Sequence, residues 1–319
     1  MLKSFQFLFF VSIFMSGILL SFSSSSLFTA WIGMEMTTLC FISYLLITMS
    51  AISSAKYFLI QSTGSLCLVE SILIGQESNL IFYLFLSSLL LKVGSAPLHF
   101  WYPSVMSSLS WNPVLILMTF QKIIPFYMIS LTITLKSMII LGILNGFIGA
   151  IGGFNETCLR KILAFSSINH LGWIFLSMKM NNLFWIFYFV IYSISVAFLV
   201  LLLKQKETYY SSEILALSLK SEILLAFLSL GGFPPLLGFS AKWTMISCLS
   251  LEHPWTMLSM CMFSVITLYY YIRSSLNNFL VISTNNEIGS NQKYTNSNII
   301  FGFMISLPIF WGLMNSLLL

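Results

Sequence analysis

The chain has 319 residues, 58% of them hydrophobic and 7% charged, with 14 Lys/Arg against 9 Glu and no Asp. A soluble domain carries roughly 25% charged residues, so a water-facing surface of this length would go uncovered and the main solvent is lipid. The net charge of +5 does not point to nucleic acid, because the basic residues lie mostly between apolar runs, the pattern of a membrane protein.

A bilayer crossing takes about 20 residues. The first apolar run, 5–22, follows a single Lys and has no small-residue cleavage site after it, so it is read as a permanent span and not a cleaved signal; no transit peptide is visible. The same template gives eleven spans, near 4–22, 27–49, 56–75, 79–109, 112–135, 138–153, 160–178, 183–203, 212–251, 255–273 and 299–319. The fourth and ninth are too long for one crossing and each contains helix breakers: Gly94-Ser95-Ala96-Pro97 in one, Gly231-Gly232-Phe233-Pro234-Pro235 in the other. Each is read as two half-helices sharing one crossing. The fold expected is an all-α polytopic membrane protein.

With eleven crossings the termini lie on opposite faces. Lys3, Lys56, Arg160, Lys161, Lys204, Lys206, Arg273 and Lys293 fall on the N-terminal face, and Lys136 and Lys179 on the other. Basic residues favour the cytoplasmic or matrix side, so the N-terminal face is assigned there. The polar stretch 285–298 is the one long loop, with nothing catalytic in it. If spans one to five (4–135) and six to ten (138–273) are two copies, the broken span is fourth in each. Five spans per copy is an odd number, so consecutive copies insert in opposite orientations, which is the inverted-repeat pattern of transporters. The span 299–319 is then an addition, and the repeat rests on spacing, with no residue-level match between the halves.

Four charged residues remain at membrane depth: Glu35, Lys92, Lys122 and Lys242. A lipid-facing charge in mid-span costs about 3 kcal/mol, so such residues normally face a bundle interior and pair or conduct. Glu35 lies too deep in the second span to reach the interface. Lys92 precedes the Gly94 and Pro97 break, Lys122 precedes Pro125, and Lys242 follows the break at Gly231, Gly232, Pro234 and Pro235. The bland alternative for each Lys is snorkelling to the headgroups; their depth argues against it. His99, just after the first break, and His170 stand nearby in sequence as further relay or water-pocket residues. For both, an ordinary hydrogen-bonded packing role competes. Glu70 and Lys220 fit the interface, and Arg160 and Lys161 fit positive anchors.

Burial favours a neutral lysine and a movable carboxylate favours the charged form, so a buried Glu/Lys set can switch and pass protons. Nothing comparable supports hydrolysis or group transfer. The cysteines, Cys40, Cys67, Cys158, Cys248 and Cys261, have no C-x-x-C spacing and are read as buried free thiols. Neither a metal site nor an iron–sulfur cluster, flavin or nicotinamide site is apparent.

Several blocks resemble one known family. FTAWIGMEM from Phe28, KYFLIQS from Lys56, LLKVGSAPLHFW from Leu90, TFQKIIPFYMIS from Thr119, GGFNETCLRKILAFSSINHLGW from Gly152 and LSLGGFPPLLGFSAKW from Leu228 are similar to the mitochondrially encoded animal form of the subunit 2 family of NADH:ubiquinone oxidoreductase, respiratory complex I. They occur in family order and cover most of 28–245. The resemblance implies an antiporter-like, proton-translocating subunit of the membrane arm in the mitochondrial inner membrane. Its N-terminus would face the matrix and its C-terminus the intermembrane space. Glu35 and Lys92 look like the family's ion pair, Lys122 like its central channel lysine and Lys242 like the lysine of the outward half-channel. The same resemblance implies FMN, iron–sulfur clusters and ubiquinone elsewhere in the complex and no cofactor on this chain. The partners it implies are other membrane-arm subunits, including neighbouring antiporter-like ones, with lipids such as cardiolipin.

The chain departs from the family where Ser104 replaces the usual Glu after HFW and where Glu70 stands at an apolar position. Two rival readings are a stand-alone sodium/proton antiporter and a structural subunit with an inactive channel.

Overall fold

The computed structural model describes residues 2–48, 51–75, 78–132, 135–180, 182–205, 207–216, 220–234, 236–250 and 252–280. Pro235 and the expected span 299–319 lie outside them. The chain divides into two compact units, residues 1–137 and 138–319.

The first unit holds α1 (Leu2–Ser23), α2 (Leu27–Thr48), α3 (Ala51–Ile74), α4 (Asn79–Val93), α5 (Trp101–Met106), α6 (Trp111–Met118) and α7 (Phe120–Thr132). Helices α1 and α2 approach closely at Gly17 and Gly33, where a Cβ on Gly33 would stand 2.5 Å from the Gly17 carbonyl oxygen. Helix α2 starts at Ser26, whose Oγ accepts from the Thr29 amide at 3.2 Å, an N-cap that satisfies a free donor. Helices α2, α3 and α4 pack in succession, and α7 packs on α1, α2, α4 and α6.

Helix α8 (Leu135–Gly152) leads into the second unit, which continues through α9 (Leu159–Met180), α10 (Asn182–Gln205), a 3-10 helix (Ser211–Ala216), α11 (Lys220–Gly231), α12 (Leu237–Leu249) and α13 (Pro254–Leu280). Helix α9 is its centre: every residue from Ser166 to Met178 is buried, and α10, α12 and α13 pack around it. A helix enclosed by protein can carry Ser, Asn and His that lipid would reject.

Among the described residues, five helices are long and apolar enough to cross a membrane: Leu27–Thr48, Ala51–Ile74, Trp111–Thr132, Phe184–Gln205 and Pro254–Ser275. This is a membrane protein. Apolar faces such as Leu46, Leu59, Leu66 and Leu73 are exposed, the expected arrangement where the outer solvent is hydrocarbon. Buried hydroxyls are satisfied inside their own helices: Ser54, Ser71 and Ser88 each donate to the carbonyl three residues back. The expectation of uniformly buried thiols needs a correction, since Cys67 is exposed while Cys40 and Cys158 are buried. Cys67 lies on the outward face of α3, where an apolar thiol meets lipid at no cost.

Candidate functional site

In the first unit the site starts with the end of α4. Gly94 adopts φ +74°, and its amide donates to the Leu90 and Leu91 carbonyls. The Ser95 amide also donates to Leu90 O, at 3.0 Å. This left-handed stop releases the chain from the helix directly after Lys92. The segment to Trp101 then runs as turns, with Ala96–Pro97 cis. The Trp101 indole donates to the Leu91 carbonyl at 3.0 Å, so an end carbonyl of α4 is satisfied from beyond the break.

The stop leaves Lys92 facing α2. Its ammonium lies 2.5 Å from Glu35 Oε1, with the Lys92 side chain 1% and the Glu35 side chain 23% exposed. The lysine is therefore sealed, while the carboxylate keeps an opening. Thr38 Oγ1 lies 3.5 Å from the other Glu35 oxygen. Two residues of α3 complete the surround. Gln61 donates to the Lys92 carbonyl at 3.3 Å, and buried Tyr57 lies between the rings of Phe41 and Trp101 at 5.2 and 5.9 Å. Both belong to the KYFLIQS block, yet their place beside the pair was invisible from spacing because α3 contributes no charge there.

Lys122 is also buried, at 2% exposed. The helical run expected over 112–135 is interrupted at Thr119 (φ −115°, ψ −82°), and the Lys122 amide bonds the Thr119 carbonyl at 3.1 Å in a tightened first turn. No Gly or Pro marks residue 119, so nothing in the sequence announced this second interruption. The Lys122 ammonium stands 4.7 Å from the centre of the Tyr102 ring. His99 is buried, with Nδ1 3.3 Å from the Pro97 carbonyl and its ring 4.3 Å from that of Phe100, contacts within its own segment.

In the second unit α11 ends at Gly231, and Gly232 takes φ +77°. The break frees the Gly231 carbonyl, and buried Lys242 from α12 donates to it at 2.7 Å. An ammonium at a helix C-terminus meets the negative end of the helix dipole. A Cβ on Gly232 would stand 2.8 Å from Lys242 Cδ, so the glycine makes the room in which the lysine stem lies. On α9, His170 Nδ1 lies 2.9 Å from the Tyr188 hydroxyl, and its ring is 4.9 Å from that of Tyr192. His170, Tyr188, Tyr192, Ser195, Ser229 and Gly238 line a cavity of about 10 Å³, room for about one water. Tyrosines and serines carry no motif, so His170 is legible along the chain and its partners are not.

Toward the helix ends the charges pair with carboxylates or with a ring. Lys161 lies 3.3 Å from Glu156, and Arg160 covers the Tyr209 ring at 4.4 Å. Lys179 lies 3.0 Å from Glu252, and this bond and charge hold the Glu252 carboxyl below its ordinary value. Among the described residues no cluster of three or more His, Cys, Asp or Glu side chains is placed to hold a metal ion.

The structure brings Glu35 and Lys92 together and sets Lys122 against Tyr102 in one unit; it seats Lys242 on Gly231, with the His170 cavity, in the other. The family model described as NADH:quinone oxidoreductase/Mrp antiporter, transmembrane, matches residues 72–267. The chain is 40% identical over 314 residues to the NADH-ubiquinone oxidoreductase chain 2 of Anopheles gambiae, covering 90% of this chain and 91% of that one. A chain of the respiratory complex I from Thermus thermophilus superposes with a TM-score of 0.76 at 22% identity, over 89% of this chain and 72% of that one. A chain of the Mrp complex from Dietzia sp. DQ12-45-1b gives 0.75 at 18% identity, over 89% and 62%. At these identities the two structures share the fold.

Proposed function

Because this chain belongs to the family of NADH-ubiquinone oxidoreductase chain 2 proteins, with an NADH:quinone oxidoreductase/Mrp antiporter transmembrane domain, we propose that it is a proton-translocating subunit in the membrane arm of mitochondrial complex I. The observation that carries this reading is a set of three lysines buried at or near helix interruptions: Lys92 paired with Glu35 of α2, Lys122, and Lys242 on the Gly231 carbonyl. Buried ionisable groups inside membrane spans are expensive, and their usual use is conduction.

Each group has a separate task in this proposal. A proton from the matrix side reaches Lys122. When Glu35 moves away from Lys92, the unpaired Lys92 charge raises the local potential and drives the Lys122 proton onward. Lys242 passes a proton toward the opposite face, with the His170–Tyr188 cavity able to hold a linking water. His99 serves at most as a local member of the first break, given its contacts with Pro97 and Phe100. The breaks at Gly94 and Gly232 are the midpoints of two discontinuous crossings. The eleven crossings form two inverted five-helix repeats, 4–135 and 138–273, plus 299–319. The N-terminus lies in the matrix. Electron transfer takes place on FMN, iron–sulfur clusters and ubiquinone bound by other subunits, and lipids, cardiolipin among them, fill the outer faces.

Lys122→Met tests the reading. In membranes containing the assembled complex, protons pumped per electron fall while NADH oxidation by an artificial acceptor is unchanged. An unchanged ratio would instead favour a scaffold with an inactive channel. Transport by the isolated chain that depends on sodium would favour the antiporter reading.

A further inference from the structure

Tyr102 has no part in the relay described so far, and no motif along the chain marks it. It is the second residue of α5, 1% exposed, with its amide bonded to the His99 carbonyl at 2.9 Å. Two contacts make it unlike the other buried aromatics of the first unit. One side of the residue packs on the end of the Lys92 helix, where a Cβ on Gly94 would stand 3.0 Å from Tyr102 Cβ. Its ring face is 4.7 Å from the Lys122 ammonium. The negative face of an aromatic ring attracts a cation at this range, most strongly out of water, with Trp the strongest face and Phe close to Tyr. The Trp101 ring next to it stands at 89° to the Tyr102 ring, with the centroids 5.6 Å apart.

We infer that Tyr102 is a positioning residue for proton transfer: its ring face seats the Lys122 ammonium and, through Gly94, ties that seat to the helix end carrying Lys92. A shift of the α4 terminus as the Glu35–Lys92 pair opens moves the ring, and with it the surface that holds the Lys122 charge. Coupling between pair and lysine then has a steric route as well as a field. This rests on the assignment of Lys122 to the relay.

The test replaces Tyr102 by Phe, Trp, Leu and Met in the assembled complex and reads protons pumped per electron beside Lys122→Met. A packing role and a ring-face role rank the variants differently. Packing alone predicts that near-isosteric Phe fits best, flexible Met next and bulky Trp worst, so the order of Trp against Met separates the two roles. The ring face predicts that Y102F and Y102W keep all but about a fifth of the wild-type ratio, whereas Y102L and Y102M forfeit at least about half of what K122M forfeits. Complex abundance and acceptor-linked NADH oxidation are measured in parallel, so that a variant that fails to assemble is replaced in the ranking by its partner of the same class. The inference is overturned if Met or Leu pumps as the wild type does, or if Trp fails alongside them. If K122M itself pumps normally, the assignment of Lys122 is what fails.

Discussion

A lysine in hydrocarbon needs either a counter-charge or a set of oriented dipoles, and the chain uses both solutions. Lys92 takes the first, with Glu35 at 2.5 Å; Lys242 takes the second, with a freed helix-end carbonyl at 2.7 Å. The two solutions respond differently to substitution. Removing one member of a buried ion pair leaves the other uncompensated, at a cost of about 3–5 kcal/mol. The partial opening around Glu35 (side chain 23% exposed) lowers this toward about 2 kcal/mol. Glu35→Gln is therefore expected to reduce the thermal midpoint at which the complex loses this subunit. The double variant E35Q/K92M regains most of the loss, because no charge is left stranded. The retention assay checks both; additive losses in the double variant would mean that the pair contributes no mutual stabilisation.

At the scale of the helix, the stops matter as much as the helices. Both α4 and α11 end on a glycine beyond the last turn, at φ +74° and +77°, a conformation that costs an L-residue roughly 1–2 kcal/mol. The surroundings separate the two. Alanine at 94 would press on Tyr102, and alanine at 232 would press on the Lys242 stem. We expect G94A and G232A each to destabilise the subunit by about 1–3 kcal/mol, measured as an earlier loss of the subunit on heating. In complexes that do assemble, G232A also lowers protons pumped per electron, since the added methyl moves Lys242 off the Gly231 carbonyl. Normal pumping in G232A would show that this seat is dispensable. The glycines and prolines of both breaks were legible in the sequence, because a helix cannot pass Gly-Ser-Ala-Pro or Gly-Gly-Phe-Pro-Pro intact. The interruption at Thr119 was not, because no local residue demands it.

For the whole molecule the proposed topology is tested by sidedness, and the second unit offers two exposed markers. Ser212 lies in the 3-10 segment after Lys204, and Glu252 lies in the turn before α13. Under the proposed topology, Ser212→Cys is labelled by a membrane-impermeant thiol reagent from the matrix side of inside-out particles, and Glu252→Cys from the opposite side in intact mitoplasts. Labelling of both from one side would overturn the crossing order. The solvent is fixed by composition alone: too few charges leave lipid as the only medium in which these apolar helices are stable. Composition also isolated Glu35, Lys92, Lys122 and Lys242, since a charge inside a long apolar run stands out without any fold. What only the tertiary structure decided is which groups meet. Glu35 and Lys92 are 57 residues apart, and the packing of α2, α3 and α4 sets them in contact. The neutral partners, Tyr57, Gln61, Tyr102 and Tyr188, carry no signal along the chain because aromatic and amide side chains are common in any helix. They become distinctive only when the fold places a ring face or a hydroxyl against a buried cation or imidazole.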